Sequence, residues 1–521
     1  MSALHDTIPD VRVEPQPLGQ ILASAEAAGL LVVPPGVSGV EITDVVSDSR
    51  LATPGALFAA LSSDGDGPDG DEFVDRAFRA GAVAALVSES LLAESLREGI
   101  VPDRGGVVVP STDTRAAVAH AAATLYGRPG DAMTLVGITG TNGKTTTTTL
   151  VHGMVSRLGG VAGLVGTVEN RIGAERYATR YTTPEAPELQ RLLRAMAQAG
   201  VSTVAMEVSS HGLALHRVGT LRFQVAAFTN LTHDHLDFHR TPEAYADAKR
   251  LLFDGLDSDA AAVVNADSPA WRTMTSRTVA RVVTVGTGAE ANIRFETLAN
   301  TLDGLTLRLD GQTVRFALAG RFNAFNLALA YAVGRELGYG AAETLGALAA
   351  AEGVPGRFET VNRGGAVLGV VDYAHTPDAL DNVLATAREI VPAGGRLAVV
   401  FGCGGDRDRT KRPEMARVAE AHADRVIVTS DNPRTESPEA ILADIRAGLA
   451  RPESAAFVVD RAHAIQLAAR EARPGDVVVV AGKGHETYQI VGQTRLPFDD
   501  REVLRDALDV NAESRPEHVP V

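Results

Sequence analysis

The sequence has one cysteine, no long apolar run and a deficit of basic charge. Cys403 is the only cysteine among 521 residues, which excludes an intrachain disulfide and fits a reducing compartment. No segment approaches the ~20 consecutive apolar residues of a membrane-spanning helix, and the first residues lack the apolar stretch of a secretory signal. We therefore expect a cytoplasmic protein that does not insert into a membrane.

Lysine and arginine together number 49 against 65 aspartates and glutamates, which gives a net charge of −16. This excess of acid disfavours a nucleic-acid partner, because binding to nucleic acid draws on many cationic side chains. It does not exclude a small anionic substrate, since a few local cations and backbone amides are enough to bind one.

The chain is too long for one hydrophobic core, and three α/β domains are expected. Hydrophobic residues at 45% and charged residues at 22% are typical of a globular protein. Alternating strand and helix patterns predict an N-terminal α/β domain with a loose tail over residues 1–130, a central parallel sheet of the phosphate-loop ATPase type over 131–355, and a doubly wound, Rossmann-like domain over 356–521. An Asp310-Gly311 turn predicts a hairpin within the central block.

The segment around Lys144 has the layout of a phosphate-binding loop. An apolar strand over residues 133–138 runs into a glycine-rich turn, and Lys144 and Thr145 precede a helix. Backbone N–H groups would hold phosphate oxygens, Lys144 would reach the β- and γ-phosphates, and Thr145 would contact Mg²⁺. The spacing departs from the standard Walker pattern, which has glycine where this chain has Ile138. The expected ATP-binding residues of the loop are Gly140, Thr141, Asn142, Gly143, Lys144, Thr145 and Thr146.

Two polar clusters follow predicted strands of the central block. Glu207 ends one strand and suits Mg²⁺, although by itself an ordinary strand-end glutamate explains the pattern better. Residues 230–239 hold three histidines and two aspartates within seven positions, which favours metal binding or acid–base chemistry over a plain polar loop. No cysteine is near, so Mg²⁺ fits better than zinc. Lys249 lies on a predicted amphipathic helix, where its pattern alone predicts a solvated lysine.

The predicted strands of the third block also end in polar loops, where ligands of a doubly wound sheet gather. These loops contain Asp372 and the segments 403–407, 431–434 and 482–486.

Together the motifs resemble those of the Mur ligases, from Ser47 to Glu486 and thus over nearly the whole chain. The resemblance implies three domains, for a uridine nucleotide, for ATP and for an incoming amino acid. It further implies an ATP-dependent amide ligase of peptidoglycan biosynthesis that joins meso-2,6-diaminopimelate to UDP-N-acetylmuramoyl-L-alanyl-D-glutamate through an acyl phosphate. The motifs are GITGTNGKTT, MEVSSHGL, FTNLTHDHLDFH, AYADAKRLLF, GRFNAFNLALA, VPGRFE, VDYAHTPDAL, GCGGDRDRTKRP, SDNPR and AGKGHE.

The resemblance also implies roles for individual residues, and these roles are carried over position by position. Around ATP, it implies an adenine contact for Asn326, with Arg357 and Asp372 completing the ATP site when the third domain closes. It implies that Lys249 is carbamylated by CO₂ and so becomes a carboxylate that ligates a second Mg²⁺. The implied catalytic residues are Lys144, Glu207, His235 and Lys249, and the implied metal ligands are Thr145, Glu207, His235 and carbamylated Lys249.

For the other two substrates the resemblance implies one set of residues each. Tyr181, Leu215 and the loop over 62–71 depart from the family pattern, which leaves single contacts of the nucleotide substrate open. The nucleotide substrate is assigned Ser47, Ser49, Thr182, Thr183, Ser209 and Arg217. Diaminopimelate is assigned Arg407, Asp431, Asn432, Pro433, Arg434, Gly482 and Glu486.

Three alternatives stay open at the level of sequence. A lysine-adding Mur ligase would share nearly every motif. A folylpolyglutamate synthase would share the phosphate loop and the carbamylated lysine, but it would not need the loop over 47–50 or the Asp-Asn-Pro-Arg motif. A non-catalytic nucleotide-binding regulator would not need Lys144, Glu207, His235 and Lys249 intact. The expected partners are therefore ATP and the two substrates, and a monomer is expected.

Overall fold

A computed structural model describes residues 4–5, 9, 11–62, 70–90, 106–301, 304–361 and 366–513. Most of the loop predicted over 62–71 lies outside these residues. In the described part of the chain, no helix combines the length and the apolar composition needed to cross a membrane.

The first sheet has four parallel strands buried on both faces. Successive residues of the second strand point to opposite faces, so that Leu57 packs into one apolar cluster and Phe58 into another. The helices Leu18–Ala27 and Thr114–Leu125 cover the face that holds Leu57. The strands are Asp44–Val46, Ala56–Ala59, Ala84–Ser88 and Val107–Ser111.

Among the described residues the central sheet has twelve strands, with a parallel middle and antiparallel pairs on both sides of it. Val136 and Leu135 again face opposite clusters, which explains the continuous apolar run of this strand. The predicted hairpin at Asp310-Gly311 is confirmed. In sheet order the strands are Leu4–His5, Glu175–Tyr177, Asn170–Ile172, Ala162–Val165, Thr203–Glu207, Thr134–Thr139, Val225–Phe228, Ala261–Asn265, Arg281–Gly286, Ile293–Thr301, Gly304–Leu309 and Gln312–Phe316.

Part of the N-terminal segment that the sequence predicts to be a loose tail forms a short strand. Leu4–His5 pairs in parallel with Glu175–Tyr177 at the edge of the central sheet, and His5 Nε2 lies 3.0 Å from Glu175 Oε2. A two-residue strand leaves almost no sequence pattern, so only the tertiary structure reveals this pairing.

The third sheet has six strands, five of them parallel. Val370 and Val371 face opposite clusters, which pack against helices on the two sides of the sheet. The doubly wound prediction for this block is thereby confirmed. In sheet order the strands are Glu359–Thr360, Leu368–Asp372, Val477–Ala481, Leu397–Phe401, Arg425–Val428 and Ala456–Phe457.

The remaining elements connect or cover these sheets. Two small two-stranded sheets pair Gln16–Pro17 with Glu41–Ile42 and Tyr488–Val491 with Thr494–Pro497. Two of the described helices begin at a capping threonine followed by proline, at Thr241 and at Thr376, whose hydroxyl accepts from Ala379 N–H. The other helices are Val74–Ala80, Lys144–Arg157, Ala186–Gln198, Ser210–Ala214, Leu236–His239, Pro242–Asp254, Trp271–Met274, Arg321–Glu336, Ala341–Ala349, Pro377–Ile390, Lys411–His422, Pro438–Arg446, Arg461–Glu471 and Asp500–Glu513.

Parallel pairing brings the polar loops together. In the central sheet Ile138 is in register with Glu207, and Thr139 is in register with Phe228. The loops that follow these three strands therefore meet at one edge, around the glycine-rich turn.

Candidate active site

The glycine-rich turn lies between the strand Thr134–Thr139 and the helix Lys144–Arg157, as predicted. Gly140 has φ 144°, and a Cβ there would lie 1.9 Å from Thr229 Oγ1, so only glycine fits. Backbone contacts from Asn230 hold the turn in place, because its carbonyl accepts from Thr141 N–H at 2.8 Å. The N-terminus of a fourteen-residue helix is thereby presented at the sheet edge, which suits an anion.

Lys144 folds back over this turn. Its ammonium donates to Gly140 O at 2.9 Å and to Thr141 O at 2.8 Å. Burial lowers the pKa of Lys144.

Lys249 is buried, with 1% of its surface exposed, and not solvated as its helical pattern alone predicts. Its nitrogen donates to the same Gly140 carbonyl at 2.9 Å and lies 4.4 Å from the ring centroid of Tyr245. Two lysines thus share one carbonyl oxygen. Burial, followed by the charge of Lys144, lowers the pKa of Lys249 well below its ordinary value. In the described part of the chain, no carboxylate forms a salt bridge with Lys249.

Glu207 is almost fully buried at the end of its strand and faces the start of the phosphate-loop helix. Thr145 Oγ1 donates to its Oε2 at 3.0 Å, and Thr167 donates to both carboxylate oxygens through its N–H and its hydroxyl. Arg357 of the third block donates to Thr145 Oγ1 at 3.2 Å. The structure therefore joins Thr145, Glu207 and Arg357 in one network.

His235 adopts a left-handed backbone with φ 53° and packs among aromatic rings. Its ring centroid lies 4.8 Å from that of His211 and 6.1 Å from that of Tyr245. Burial lowers the pKa of His235 to about 4, so its imidazole is neutral near pH 7 and has a lone pair available for a ligand. Tyr245 also lies under Lys249, which places both predicted ligands against one ring.

Of the four predicted metal ligands, the Thr145 hydroxyl and the Glu207 carboxylate suit Mg²⁺, which prefers oxygen. The His235 imidazole is a less usual ligand of this ion, and Lys249 would offer oxygen only as a carbamate. Among the described residues, however, no group of three or more histidine, cysteine, aspartate or glutamate side chains is arranged to hold a metal. A carbamate on Lys249 and the oxygens of a bound phosphate would add ligands that the chain alone lacks.

Asn326 lies beneath the phosphate loop and is 4% exposed. Its Oδ1 accepts from Thr147 at 3.3 Å, and its Nδ2 donates to Asn323 Oδ1 at 2.9 Å. A Cβ at Gly143 would lie 2.4 Å from Asn326 Oδ1, so this amide supports the loop. A contact with adenine would require it to exchange one of these bonds.

The carboxylate of Asp372 accepts hydrogen bonds from the protein backbone. Its two oxygens accept at 2.7 Å from Phe358 N–H and Ala374 N–H, and burial raises its pKa. Through Phe358 it fixes the segment that carries Arg357, whose guanidinium lies 4.6 Å from the ring of Tyr373.

The sequence did not single out Asp378, although the structure places it against the phosphate loop. Its Oδ2 accepts from Asn142 Nδ2 at 2.7 Å and from Thr232 Oγ1 at 3.1 Å. The only sequence signal was an acid in the first turn of the helix after Thr376-Pro377, which is also an ordinary capping pattern.

Four of the positions assigned to the nucleotide substrate form one network. Thr183 Oγ1 donates to Glu207 O at 2.9 Å and to Ser209 Oγ at 3.1 Å, and Arg217 donates to Thr183 O at 3.0 Å. Thr182 Oγ1 lies 3.0 Å from Thr167 Oγ1, which itself bonds Glu207. This chain of contacts connects the substrate positions to the phosphate loop.

The other two nucleotide positions lie in the first block. Ser47 and Ser49 follow the strand Asp44–Val46, and Ser49 is buried. Among the described residues, no hydrogen bond joins either serine to the network around Thr183. Sequence analysis also missed Glu185, which ion-pairs with Arg217 at 2.6 Å and with Arg115 of the first block at 3.4 Å.

The positions assigned to diaminopimelate gather at the carboxyl edge of the third sheet. A side chain on Gly404 would meet both Arg434 Nη1, at 3.0 Å, and Arg407 Cγ, at 3.7 Å, so the two arginines flank one glycine. Arg434 itself has a left-handed backbone and donates to Gly405 O at 2.8 Å. Pro433 lies between Asn432 and Arg434 in the loop.

Across this edge, Gly482 N–H donates to Asp372 O at 3.0 Å, and Asn432 Nδ2 donates to Glu486 Oε2 at 2.9 Å. Among the described residues, the buried Oδ2 of Asp431 has no hydrogen-bond partner. A Cβ on Gly482 would lie 2.5 Å from that oxygen, so a side chain at this position would crowd the carboxylate. Such an oxygen is suited to accept from a substrate ammonium.

Family models match most of the two larger blocks. The Mur ligase middle domain matches residues 138–334, and the Mur ligase glutamate ligase domain matches residues 356–484. A UDP-N-acetylmuramoyl-L-alanyl-D-glutamate–2,6-diaminopimelate ligase from Chlorobaculum tepidum is 44% identical to this chain, over 94% of this chain and 97% of the relative.

Two solved structures are informative. A UDP-N-acetylmuramoyl-L-alanyl-D-glutamate–2,6-diaminopimelate ligase has a TM-score of 0.64 and 32% identity, and the match covers 95% of this chain and 99% of the other. A folylpolyglutamate synthase from Mycobacterium tuberculosis has a TM-score of 0.57 and 20% identity, with 71% of this chain and 92% of the other covered. The second likeness shows a shared fold alone.

Proposed function

The chain belongs to the Mur ligase family, and from this premise we propose that it is an ATP-dependent amide ligase of peptidoglycan biosynthesis. It joins meso-2,6-diaminopimelate to UDP-N-acetylmuramoyl-L-alanyl-D-glutamate and converts ATP to ADP and phosphate. The observation that carries this function is the full-length similarity to ligases of that name. The match with the folylpolyglutamate synthase covers 71% of this chain and therefore explains less of it.

The reaction has two steps. The γ-carboxylate of the D-glutamyl residue attacks the ATP γ-phosphorus, which forms an acyl phosphate and releases ADP. The amine of diaminopimelate then attacks the acyl carbon, and phosphate leaves. Both steps build negative charge, so cations and N–H donors held in place beforehand lower the barrier.

The phosphate-loop residues, Gly140 to Thr146, hold the ATP phosphates. Lys144 would exchange its two carbonyl partners for phosphate oxygens, a change that supplies charge where the transition state needs it. Arg357, already 3.2 Å from Thr145, adds a second cation from the third domain. Asn326 and Asp372 support the loops that carry these groups, with Asn326 adjoining the adenine.

The family uses Mg²⁺ with ATP, and Mg²⁺ neutralises phosphate charge when it is bound. In this chain Thr145, Glu207 and His235 would hold it. The contact between Thr145 and Glu207 and the neutral imidazole of His235 support this assignment.

Lys249 is proposed to carry a carbamate. Two buried ammonium groups on the Gly140 carbonyl repel each other, so a neutral amine at Lys249 is favoured. A neutral amine adds to CO₂ and releases one proton, which converts the repulsion with Lys144 into attraction. The carbamate would serve as a ligand for a second Mg²⁺.

The two remaining substrates bind on either side of this centre. The network of Thr182, Thr183, Ser209 and Arg217 would hold the peptide and pyrophosphate of the nucleotide substrate, and Ser47 and Ser49 would contact its uridine side. The loops of the third sheet would hold diaminopimelate, with Arg407 and Arg434 near its far carboxylate. Asp431, Gly482 and Glu486 would receive its far ammonium.

The remaining proposals concern the whole protein. The three sheets support domains at 1–130, 131–355 and 356–521, although Leu4–His5 joins the central sheet. We further propose a cytoplasmic monomer, and sedimentation equilibrium would test the monomer.

An amino-acid panel tests the function. Release of ADP is measured with ATP, Mg²⁺ and the UDP-linked dipeptide, with meso-diaminopimelate, L-lysine, L-ornithine or no amino acid added. We expect turnover with meso-diaminopimelate and on the order of a thousandfold lower kcat/KM with L-lysine, because L-lysine lacks the far carboxylate. Comparable values for the two would identify the lysine-adding alternative. Turnover that requires a folate in place of the UDP-linked dipeptide would contradict the proposed substrate and favour the folylpolyglutamate synthase alternative. Binding of ATP without turnover would indicate a non-catalytic regulator.

In the same assay, the variant Arg434→Ala tests the proposed contact between Arg434 and the far carboxylate of diaminopimelate. Charged hydrogen bonds contribute ~1.5–3 kcal/mol each, so loss of the guanidinium should raise KM for diaminopimelate by roughly 10- to 100-fold. Arg425→Ala is the matched control, because Arg425 binds Glu471 and Ser454 O instead. An unchanged KM in Arg434→Ala would show that Arg434 only braces Gly405.

A further inference from the structure

Lysine is rare in this chain: among 49 lysines and arginines, the lysines are Lys144, Lys249, Lys411 and Lys483. Lys483 follows the strand Val477–Ala481, and its side chain has no exposed surface. A buried cation is costly unless it is paired, and the compact ammonium of lysine fits where the broad guanidinium of arginine does not.

The ammonium of Lys483 lies between two residues of the proposed amino-acid site. It donates to Glu486 Oε2 at 2.8 Å and to Asn432 Oδ1 at 3.0 Å. The ring centroid of Tyr488 lies 5.4 Å from the same nitrogen. Lys483 therefore touches the functional groups of Asn432 and Glu486 from the protein side.

These contacts fix the orientation of Asn432. Its Oδ1 accepts from the ammonium of Lys483 and from Ile490 N–H at 2.9 Å, and both of these groups are donors only. A flipped amide would place its NH₂ against both donors. The Nδ2 must therefore point the other way, and there it donates to Glu486 Oε2 at 2.9 Å.

Glu486 is fixed in turn. Its Oε2 accepts from both Lys483 and Asn432, which orients the carboxylate and leaves Oε1 outside these two bonds. The positive charge of Lys483 also balances one of the two carboxylates at this edge, Asp431 and Glu486. Without Lys483, both anions would remain in a partly buried site with less compensation.

We infer that Lys483 is a positioning residue for the incoming amino acid. Its ammonium holds Glu486 and Asn432 in the arrangement that receives the far ammonium of the substrate. This inference rests on the proposed function, which assigns Asn432 and Glu486 to that substrate.

The test is Lys483→Met, which keeps a long side chain and removes the charge. KM for diaminopimelate should rise roughly 10- to 100-fold, because charged hydrogen bonds that orient Glu486 are lost. KM for ATP and for the UDP-linked dipeptide should stay within about twofold, since Lys483 contacts neither proposed site. A KM for diaminopimelate within twofold of the wild type would overturn the inference, and so would a parallel rise of all three constants.

Arg396→Met is the matched control. Arg396 precedes the strand Leu397–Phe401 of the same sheet, and it pairs with Asp476 at the opposite end from the site. Loss of this pair should lower Tm without changing KM for diaminopimelate. A rise in that KM in Arg396→Met would attribute the effect to general weakening of the sheet and would also overturn the inference.

A double variant covers the case in which Lys483→Met does not fold. Lys483→Met/Glu486→Gln removes both charges of the pair, which a protein tolerates better than one unpaired charge. If Lys483 acts through Glu486 and Asn432, the double variant loses only the bond to Asn432 Oδ1 beyond what Glu486→Gln loses, so its KM for diaminopimelate should lie within about tenfold of that in Glu486→Gln. A further rise of about a hundredfold would contradict the proposed route.

The two proposals fail in different ways. If the wild type prefers L-lysine over diaminopimelate, the proposed substrate is wrong, and the Lys483 test is then made on KM for L-lysine. If the wild type uses diaminopimelate and Lys483→Met keeps its KM, only the role of Lys483 is wrong.

Discussion

At the scale of single residues, the site depends on the charge of a few buried groups. Lys144 and Lys249 share the carbonyl of Gly140, and Glu207 is held by two threonines. Burial disfavours charge on each amine, so an ammonium here is stabilised most when phosphate is present. The two lysines should therefore respond differently to substitution.

Lys144→Ala should abolish turnover and leave the fold intact. Among the described residues, the ammonium of Lys144 donates hydrogen bonds only to carbonyls of the turn, whereas its proposed role is to neutralise the phosphate in the transition state. Groups of this kind are typically worth ~3–4 kcal/mol, or roughly a hundred- to a thousandfold in kcat. The measurement is kcat from ADP release, with Tm as the control for folding. Turnover like that of the wild type would contradict the phosphate-loop assignment.

Lys249→Ala should be nearly inactive, and short carboxylic acids such as acetate or formate should restore part of the activity, because the missing group is a carboxylate. Rates are measured against acid concentration, with Lys144→Ala as the control that acid should not rescue. High activity in Lys249→Ala without added acid would rule out the carbamate, as would an unmodified Lys249 amine in a well-resolved crystal structure of the active enzyme.

At the scale of secondary-structure elements, the helix that follows the phosphate loop contains a buried histidine. His152 lies on the helix Lys144–Arg157, and both of its ring nitrogens are buried. Burial lowers its pKa to about 4. The folded protein therefore binds fewer protons than the unfolded chain between that value and the ordinary pKa of histidine, ~6.5.

Stability should consequently fall as the pH drops below ~6.5. For a single histidine with these two pKa values, the loss between pH 7 and pH 5 is about 2 kcal/mol. His152→Leu removes the titrating group. Between pH 7 and pH 5 the free energy of unfolding of this variant should therefore fall by about 2 kcal/mol less than that of the wild type. Urea denaturation at the two pH values measures this. A wild type and variant that lose stability equally would show that His152 does not titrate as its burial requires.

At the scale of the whole molecule, the blocks are joined by specific polar contacts. Arg191 binds both oxygens of Asp44, at 2.7 and 2.6 Å, and so connects the central and first sheets. Asp378 and Arg357 connect the third block to the phosphate loop. The proposed amino-acid site and the proposed phosphate site thus lie on blocks in direct contact, as transfer between their ligands would require.

Asp378→Ala should impair catalysis through this contact. The variant loses the bonds to Asn142 and Thr232, so the third domain is held less firmly against the loop. We expect kcat/KM for ATP to fall about tenfold, in line with the loss of a charged hydrogen bond. Asp381→Ala is the control, because Asp381 lies on the same helix and pairs with His422 instead. Equal effects of the two substitutions would count against a role for the contact.

The sequence by itself determined the three α/β sheets and the positions of their polar loops. The strand predicted over residues 133–138 agrees with Thr134–Thr139 to within one residue at each end. Apolar runs bounded by glycine and polar residues specify buried parallel strands, and these signals are local. The glycine-rich turn followed by Lys144 is equally local, because its conformation depends on adjacent residues.

Only the tertiary structure decided which side chains meet. Lys249 shows what a sequence pattern cannot predict. Its helix has an amphipathic pattern that predicts a solvated lysine, but its nitrogen is buried and donates to the carbonyl of Gly140, 109 residues away in sequence. Asp378 and Glu185 gave no sequence signal that distinguishes them from capping or surface residues, and Lys483 lay within a motif that gave it no role of its own. Their importance comes from parallel strand register and from contacts between blocks, which bring distant loops to one edge, and no short-range pattern encodes such proximity.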